Sequence, residues 1–267
     1  MAEPESRLAN LLLRFAPSLG GFRRVPLLGD FLSWTSRKLV PRDSLIWVQI
    51  QHGPSAGLWI RLNPRTGQDV QQGISEPQVQ KALVDHLRPG MTFYDVGANI
   101  GFFTLMAARL VGPQGRVISF EADPEIAARL RENLARNQFT HAQVEQKAVW
   151  SESATVSFER VDPNTSPDRG LGHVSHNGSA PGSITVEAVS LDQYTVSNSP
   201  PDFLKCDVEG AEVAVFQGAA KLLSGKRPIL LVEMHSPENH HALLDLFTGN
   251  GYRCQNLDDN HVLALPQ

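Results

Sequence analysis

Apolar residues recur along this chain in two rhythms. Some fall at every second position in short runs, the mark of strands. Others fall at every third or fourth position in longer runs, the mark of one-faced helices. Near the start, Leu8, Leu11, Leu12 and Phe15 keep helical spacing until Pro17, Gly20 and Gly21 close the run. A second short helix is expected over 31–39, and two strand-like runs over 44–51 and 58–62 flank a Gly/Pro turn and predict a hairpin. A helix over 76–87 ends at Pro89-Gly90. Beyond it, strands are expected over 92–96, 117–121, 142–149, 154–158, 184–189, 203–207 and 228–233. Helices are expected over 102–111, 124–137, 213–223 and 240–250, with a short one starting at Leu191. Pro124 takes the first helical position, where proline is favoured. The runs 252–257 and 261–265 close the chain as a hairpin.

The segment 160–181 breaks the rhythm, being rich in Gly, Ser, Pro, Asn and Asp and poor in apolar residues. It reads as a surface loop, and a loop of that length between core strands is uncommon unless it has a task. No internal repeat is visible. Alternating strands and helices followed by an antiparallel pair predict a doubly wound, mostly parallel α/β (Rossmann-like) sheet that binds ligands at its C-terminal strand ends. The expected organisation is an N-terminal appendage of short helices and a hairpin over 1–65, then one α/β domain over 66–267.

Composition narrows this picture. A chain of 267 residues buries one good core, and a net charge of -4 gives no sign of nucleic-acid binding. No apolar run reaches the length of a membrane span, and no basic start precedes an apolar core, so neither a span nor a secretory signal is expected. Residues 1–42 carry Arg7, Arg14, Arg23, Arg24, Arg37, Lys38 and Arg42 against Glu3, Glu5 and Asp30. Such a basic amphipathic segment either packs on its own domain or lies on a membrane surface or a partner. Cys206 and Cys254 both sit in apolar runs and read as buried thiols, which fits a reducing, cytoplasmic setting.

Candidate chemistry gathers at strand ends. In Phe93-Tyr94-Asp95-Val96-Gly97-Ala98-Asn99-Ile100-Gly101-Phe102-Phe103-Thr104 a buried strand turns on glycines into a helix. Gly97 permits a sharp turn, and Gly101 permits close approach of a helix or ligand. The next strand ends in Glu121, an acid placed to accept hydrogen bonds from both hydroxyls of a ribose. A dinucleotide site needs G-x-G-x-x-G to admit a pyrophosphate, whereas here the spacing is G-x-x-x-G with Asp95 two residues ahead. A carboxylate there repels a pyrophosphate and attracts a sulfonium or an α-amino group. S-adenosyl-L-methionine carries both cations and is the expected cofactor, held by Asp95, Gly97, Asn99, Gly101, Glu121 and Ala122.

A second constellation follows. Strand 203–207 runs into Lys205-Cys206-Asp207-Val208-Glu209-Gly210-Ala211-Glu212, and strand 228–233 ends Glu233-Met234-His235. Residues two apart in a strand face one side, so Lys205 pairs with Asp207 and Glu233 with His235, both beside the cofactor turn. Asp207, Glu233 and His235 are the candidate catalytic residues, because a carboxylate ending an apolar strand needs a partner. Glu209 and Glu212 read equally well as helix-start acids. All three catalytic residue types are also metal ligands. No pair has helical zinc spacing, and no metal is assigned.

These motifs, together with Phe120-Glu121-Ala122-Asp123-Pro124, Ser190-Leu191-Asp192 and Val232-Glu233-Met234-His235, resemble the FkbM family of S-adenosylmethionine-dependent methyltransferases over about residues 70–257. The resemblance implies a seven-stranded class-I methyltransferase fold and O-methylation of a small-molecule hydroxyl, on a sugar, a polyketide or similar. It also implies a contact from Glu76 to the methionine end of the donor. Cys206 replaces the family's usual aliphatic residue. The expected mechanism has His235 or Asp207 take the hydroxyl proton, with loop 160–181 as a lid bearing His173 and His176. Two rivals stay open: a nicotinamide-dinucleotide-dependent oxidoreductase, and a donor-binding protein without turnover.

Overall fold

A computed structural model describes residues 45–64, 66–160, 172–174 and 183–267. The helices expected within 1–42, His176 and most of the expected lid lie outside the described residues. The chain divides into two compact units, Met1–Ser75 and Glu76–Gln267.

In the first unit the expected hairpin forms from β1 (Ile46–Gln49) and β2 (Trp59–Leu62), antiparallel with Ile46 opposite Leu62. Val48, Ile60 and Leu62 give it a buried face. A short helix that apolar spacing did not announce follows, α1 (Gln68–Gln72).

The second unit opens with α2 (Pro77–His86) and then alternates: β3 (Thr92–Val96), α3 (Phe102–Val111), β4 (Arg116–Phe120), α4 (Pro124–Arg136) and β5 (Ala142–Glu145). Next come β6 (Ala148–Val149), β7 (Ala154–Glu159), β8 (His173–Val174), β9 (Ile184–Val189) and α5 (Leu191–Ser197). The chain ends with β10 (Phe203–Cys206), α6 (Glu212–Gln217), α7 (Ala220–Ser224), β11 (Ile229–Glu233), α8 (Pro237–Gly249), β12 (Tyr252–Asn256) and β13 (His261–Pro266).

Seven strands form the main sheet in the order β12-β13-β11-β10-β3-β4-β5. The run from β11 to β5 is parallel, and β13 enters antiparallel between β11 and β12. This is the doubly wound α/β fold expected of a class-I methyltransferase. The chain leaves β3 toward β4 and later returns to the other side of β3 as β10. That reversal makes the C-terminal ends of β3 and β10 the switch point where such sheets bind ligands. Tyr94, Phe120 and Tyr194 lock the region by edge contacts, with centroids 5.7, 5.9 and 4.9 Å apart.

Three expectations change. The run 142–149 is two strands, because the chain leaves the main sheet at Gln146-Lys147. Ala148 and Val149 pair instead with β9, in a separate sheet ordered β6-β9-β7-β8. That sheet has its own apolar cluster, including Ala122, Phe158, Val174 and Val186. The helix expected over 213–223 is likewise two helices, broken at Gly218, where a Cβ would lie 2.3 Å from the Trp150 carbonyl oxygen. Asp192 starts the second piece by accepting from the amides of Lys221 and Leu222, both at 2.9 Å. The motif Ser190-Leu191-Asp192 is therefore structural, since Ser190 also caps α5. Finally, part of the expected loop is strand: β8 pairs antiparallel with β7.

Among the described residues no helix is long and apolar enough to cross a membrane. Cys206 is a buried free thiol and Cys254 a half-buried one.

Candidate active site

The turn after β3 is built by backbone contacts. The amides of Gly97 and Ala98 both donate to the Phe120 carbonyl at 3.0 Å, tying the turn to the end of β4. Gly97 has φ 78°, and a Cβ there would lie 1.7 Å from the Asp207 carbonyl oxygen. Glycine is required twice over, by backbone conformation and by contact. Asn99 holds the left-handed region at φ 50°, as Glu209 does at φ 50° and Glu76 at φ 44°. Of these, Asn99 and Glu209 line the cleft.

Glu121 is buried, and its carboxylate accepts from the amides of Asn99 at 2.9 Å and Asp123 at 2.8 Å. Burial pushes its carboxyl up to about 7, against the pull of those amides. Asp95 is 1% exposed; its Oδ2 accepts from the Thr104 hydroxyl at 2.5 Å, while Oδ1 has no hydrogen-bond partner among the described residues. Burial raises the Asp95 carboxyl, and the Lys205 ammonium opposes that. Beside these groups opens a cleft of about 630 Å³, its mouth included, lined by Gly97, Asn99, Glu121 and Ala122 below and by Phe158 and His173 of the second sheet. Asp95 and Gly101 stand behind the lining, and Gly101 presses on Leu130 of α4.

The ends of β10 and β11 bring the second constellation together. Lys205 is 3% exposed, donates to Asp207 Oδ2 at 3.0 Å and lies 5.1 Å from the centre of the Phe103 ring. Burial pushes the Asp207 carboxyl up, but Lys205 outweighs it and holds the group below its ordinary range. Asp207 and Glu209 line the cleft. His235 Nδ1 donates to Glu212 Oε1 at 2.6 Å, and its Nε2 lies 3.4 Å from Glu209, 3.8 Å from Asp207 and 3.9 Å from Glu233. The Glu212 contact, against burial, raises the His235 imidazole to about 9.

Glu212 is not the solvated acid that its place at a helix start allowed. It is wholly buried, and it also accepts from the Gly210 amide at 2.8 Å and the Asn239 side chain at 2.7 Å. Burial raises its carboxyl, and His235 and the amides bring it down below the ordinary value. A buried glutamate needs a partner, but only the fold shows that His235 is that partner.

Glu76 stands apart from the cleft lining. Its Oε2 is 3.4 Å from Nε2 of His261, which is also 3.6 Å from Glu233 Oε2. His261 Nδ1 is held by Asp258 at 2.8 Å. Burial lowers the His261 imidazole, but Glu233, Glu76 and Asp258 together raise it to about 10. Nothing in the spacing of His261 and Asp258, which sit in a hairpin, marked them as site residues.

The Methyltransferase FkbM domain family matches residues 95–254, more than half of the chain, from Asp95 through the end of α8 into β12. The chain belongs to the FkbM methyltransferase family. Membership of this family implies methyl transfer from S-adenosyl-L-methionine and speaks against the dinucleotide reading. The arsenite methyltransferase of Halobacterium salinarum is 32% identical over 108 residues, covering 39% of this chain and 27% of the relative. A protein-L-isoaspartate O-methyltransferase of Triticum aestivum is 42% identical over 55 residues, covering 21% of this chain and 24% of that protein. The chain thus spans about a quarter of the length of these curated relatives. In structure it is similar to the methyltransferase FkbM of Methylobacillus flagellatus, at TM-score 0.47 and 17% identity over 74% of this chain and 60% of that one.

The residues present fit the cofactor. Asp95 Oδ1 is a shielded carboxylate oxygen with no hydrogen-bond partner among the described residues, beside a turn where only glycine fits. Glu121 stands one strand away at the cleft wall. This FkbM chain would hold the ribose with Glu121 and the cationic methionine end with Asp95. The cofactor supplies an electrophilic methyl group on a sulfonium.

Proposed function

We propose that this FkbM methyltransferase acts on a hydroxyl of a small molecule, a sugar or similar polyol. One observation carries the reading. The set Asp207, Glu233 and His235, with Glu212 behind the imidazole, stands at the ends of β10 and β11, and the Asp207 carbonyl meets the cofactor turn at Gly97. Because the donor is already reactive, the protein's task is to align the acceptor oxygen, exclude water and take a proton. Asp207, kept ionised by Lys205, accepts a hydrogen bond from the acceptor hydroxyl and so orients it. Glu233 and Glu209 accept from neighbouring hydroxyls, which suits a polyol. His235, oriented by Glu212, receives the proton at Nε2. It must be neutral to do so, and a sulfonium charge nearby opposes its protonated form. The second sheet, with Phe158 and His173, closes the far wall of the cleft.

The test is methyl transfer from isotopically labelled donor to panels of sugar, polyketide and phenolic hydroxyls, with primary amines as a control. Transfer to a polyol, abolished in Asp207→Asn, is expected. Transfer to amines alone, or none in any panel with donor binding intact, overturns the reading; the second result favours a donor-binding protein without turnover.

A further inference from the structure

Glu233 has two faces. Oε1 looks toward His235, while Oε2 looks the other way, toward His261 and Glu76. We propose that Glu76 Oε2, Glu233 Oε2 and His261 Nε2 bind a divalent cation of the zinc or manganese class.

The three residues come from the start of α2, the end of β11 and the start of β13, and one ligand atom of each lies within 4.8 Å of the others. Their convergence is enforced by the sheet, since His261 is the register partner of Glu233 across the β11–β13 pair. His261 is 7% exposed. Among the described residues, both its Nε2 and Glu76 Oε2 are closed off from solvent and have no hydrogen-bond partner. Buried polar atoms in folded proteins are nearly always hydrogen-bonded, and these two, joined only by a 3.4 Å ion pair, leave room for a bridging ion.

The spacing that pairs a protonated His261 with Glu76 and Glu233 also admits an ion, which displaces that proton on binding. Nε2 lies 3.4 Å from Glu76 Oε2 and 3.6 Å from Glu233 Oε2, without hydrogen-bond geometry to either. With metal–ligand bonds of about 2.1 Å, donors 3.4 and 3.6 Å apart subtend about 108° and 118° at the ion, near the tetrahedral angle. The imidazole is also prepared from behind. Asp258 Oδ1 takes Nδ1 at 2.8 Å and is itself fixed by the amides of Asn260 at 3.0 Å and His261 at 2.8 Å. A carboxylate behind a histidine in this way fixes the ring with Nε2 facing an ion. One imidazole and two carboxylates suit first-row divalent cations. A fourth position remains for an oxygen ligand.

The experiment is calorimetric titration of Zn²⁺, and separately Mn²⁺, into chelator-treated full-length protein with no donor or acceptor present. Binding of about one ion per chain is expected. Asp258→Asn keeps all three ligands but loosens His261, and should weaken binding about 10- to 100-fold. Glu76→Gln, altering a half-exposed side chain, should weaken it at least as much. Replacing Zn²⁺ with Co²⁺ should give the visible absorption of a tetrahedral ion in the unmutated protein, so the assignment does not depend on variants folding. No binding in the unmutated protein overturns the proposal. So does binding that survives Glu76→Gln and is lost in His235→Gln, which would place the ion in the other cluster. S-adenosylhomocysteine affinity and methyl transfer are measured on the same samples. A protein that transfers methyl normally and binds no ion sinks the cation site while leaving the acceptor reading intact.

Discussion

Glu121 shows what a single residue can reveal before any fold is known. An acid ending the second strand of a βαβ unit has few reasons to be there, and the structure places it at the cleft wall, buried, with two backbone amides on its carboxylate. Glu121→Ala is expected to weaken S-adenosylhomocysteine binding by about 1–3 kcal/mol, the value of charge-assisted hydrogen bonds left unmade. Unchanged titration of the folded variant would falsify the ribose assignment. Gly97 allows a sharper comparison with Gly90. Both have left-handed backbone, but a Cβ at Gly90 meets nothing within 4 Å, while one at Gly97 runs into a carbonyl oxygen. Gly90→Ala should cost about 1 kcal/mol of stability and Gly97→Ala about 3 kcal/mol or more, read by chemical denaturation. Equal losses would mean that the close contact is relaxed without effort. Glu212, His261 and Asp258 were not legible in this way. Their partners are distant in sequence, and a lone acid or histidine near a turn has many ordinary explanations.

At the scale of elements, apolar rhythm located most strands and helices closely. The strand 92–96 and the helix 102–111 have the expected bounds, because each is a compact buried run between clear stops. Where rhythm failed, the cause was tertiary. Nothing in 142–149 says that its second half changes sheets, since alternation reports which face is buried and not which neighbour pairs. The helix break at Gly218 is likewise set by the Trp150 carbonyl, far away in sequence. The end of β10 carries the main functional prediction. Asp207→Asn keeps shape and removes charge, and should lower kcat on the order of 10²-fold or more while donor affinity changes less. It also leaves the Lys205 ammonium, 3% exposed, without its ion pair, so some stability should be lost. Turnover and Tm measured on one preparation separate the two effects. Full turnover in a folded Asp207→Asn protein removes Asp207 from the reaction.

For the whole molecule, the buried acid of the cleft links folding, donor binding and pH. The Glu121 carboxyl moves from 4.5 to about 7 on folding. A carboxyl raised in the folded state binds more protons there than in the unfolded chain, so its contribution is full below about 4.5 and is lost as pH rises toward 7. The loss is roughly 3 kcal/mol. The stability advantage of the parent over Glu121→Gln should therefore shrink across that window, as followed by urea denaturation. A difference that stays flat or grows with pH contradicts the assignment. If Glu121 holds the ribose, a ribose hydroxyl donates to its ionised form, and S-adenosylhomocysteine should bind more tightly as pH rises through about 7, with proton release. Calorimetry in buffers of different ionisation enthalpy measures that release directly, and its absence would detach the donor from Glu121.

The contact between Gly97 and the Asp207 carbonyl has a consequence for change over time. On the proposed reading the turn serves one substrate and the strand end the other, and their nearest approach is backbone to backbone. Mutation at this seam cannot retune one partner without disturbing the other. On that reading, novelty in what is methylated comes from elsewhere: from the four-stranded sheet at the cleft, where replacements leave the seam untouched. A library confined to Phe158, His173 and Val174 should diversify acceptors at little loss of donor affinity, and one aimed at 207–209 should lose both together.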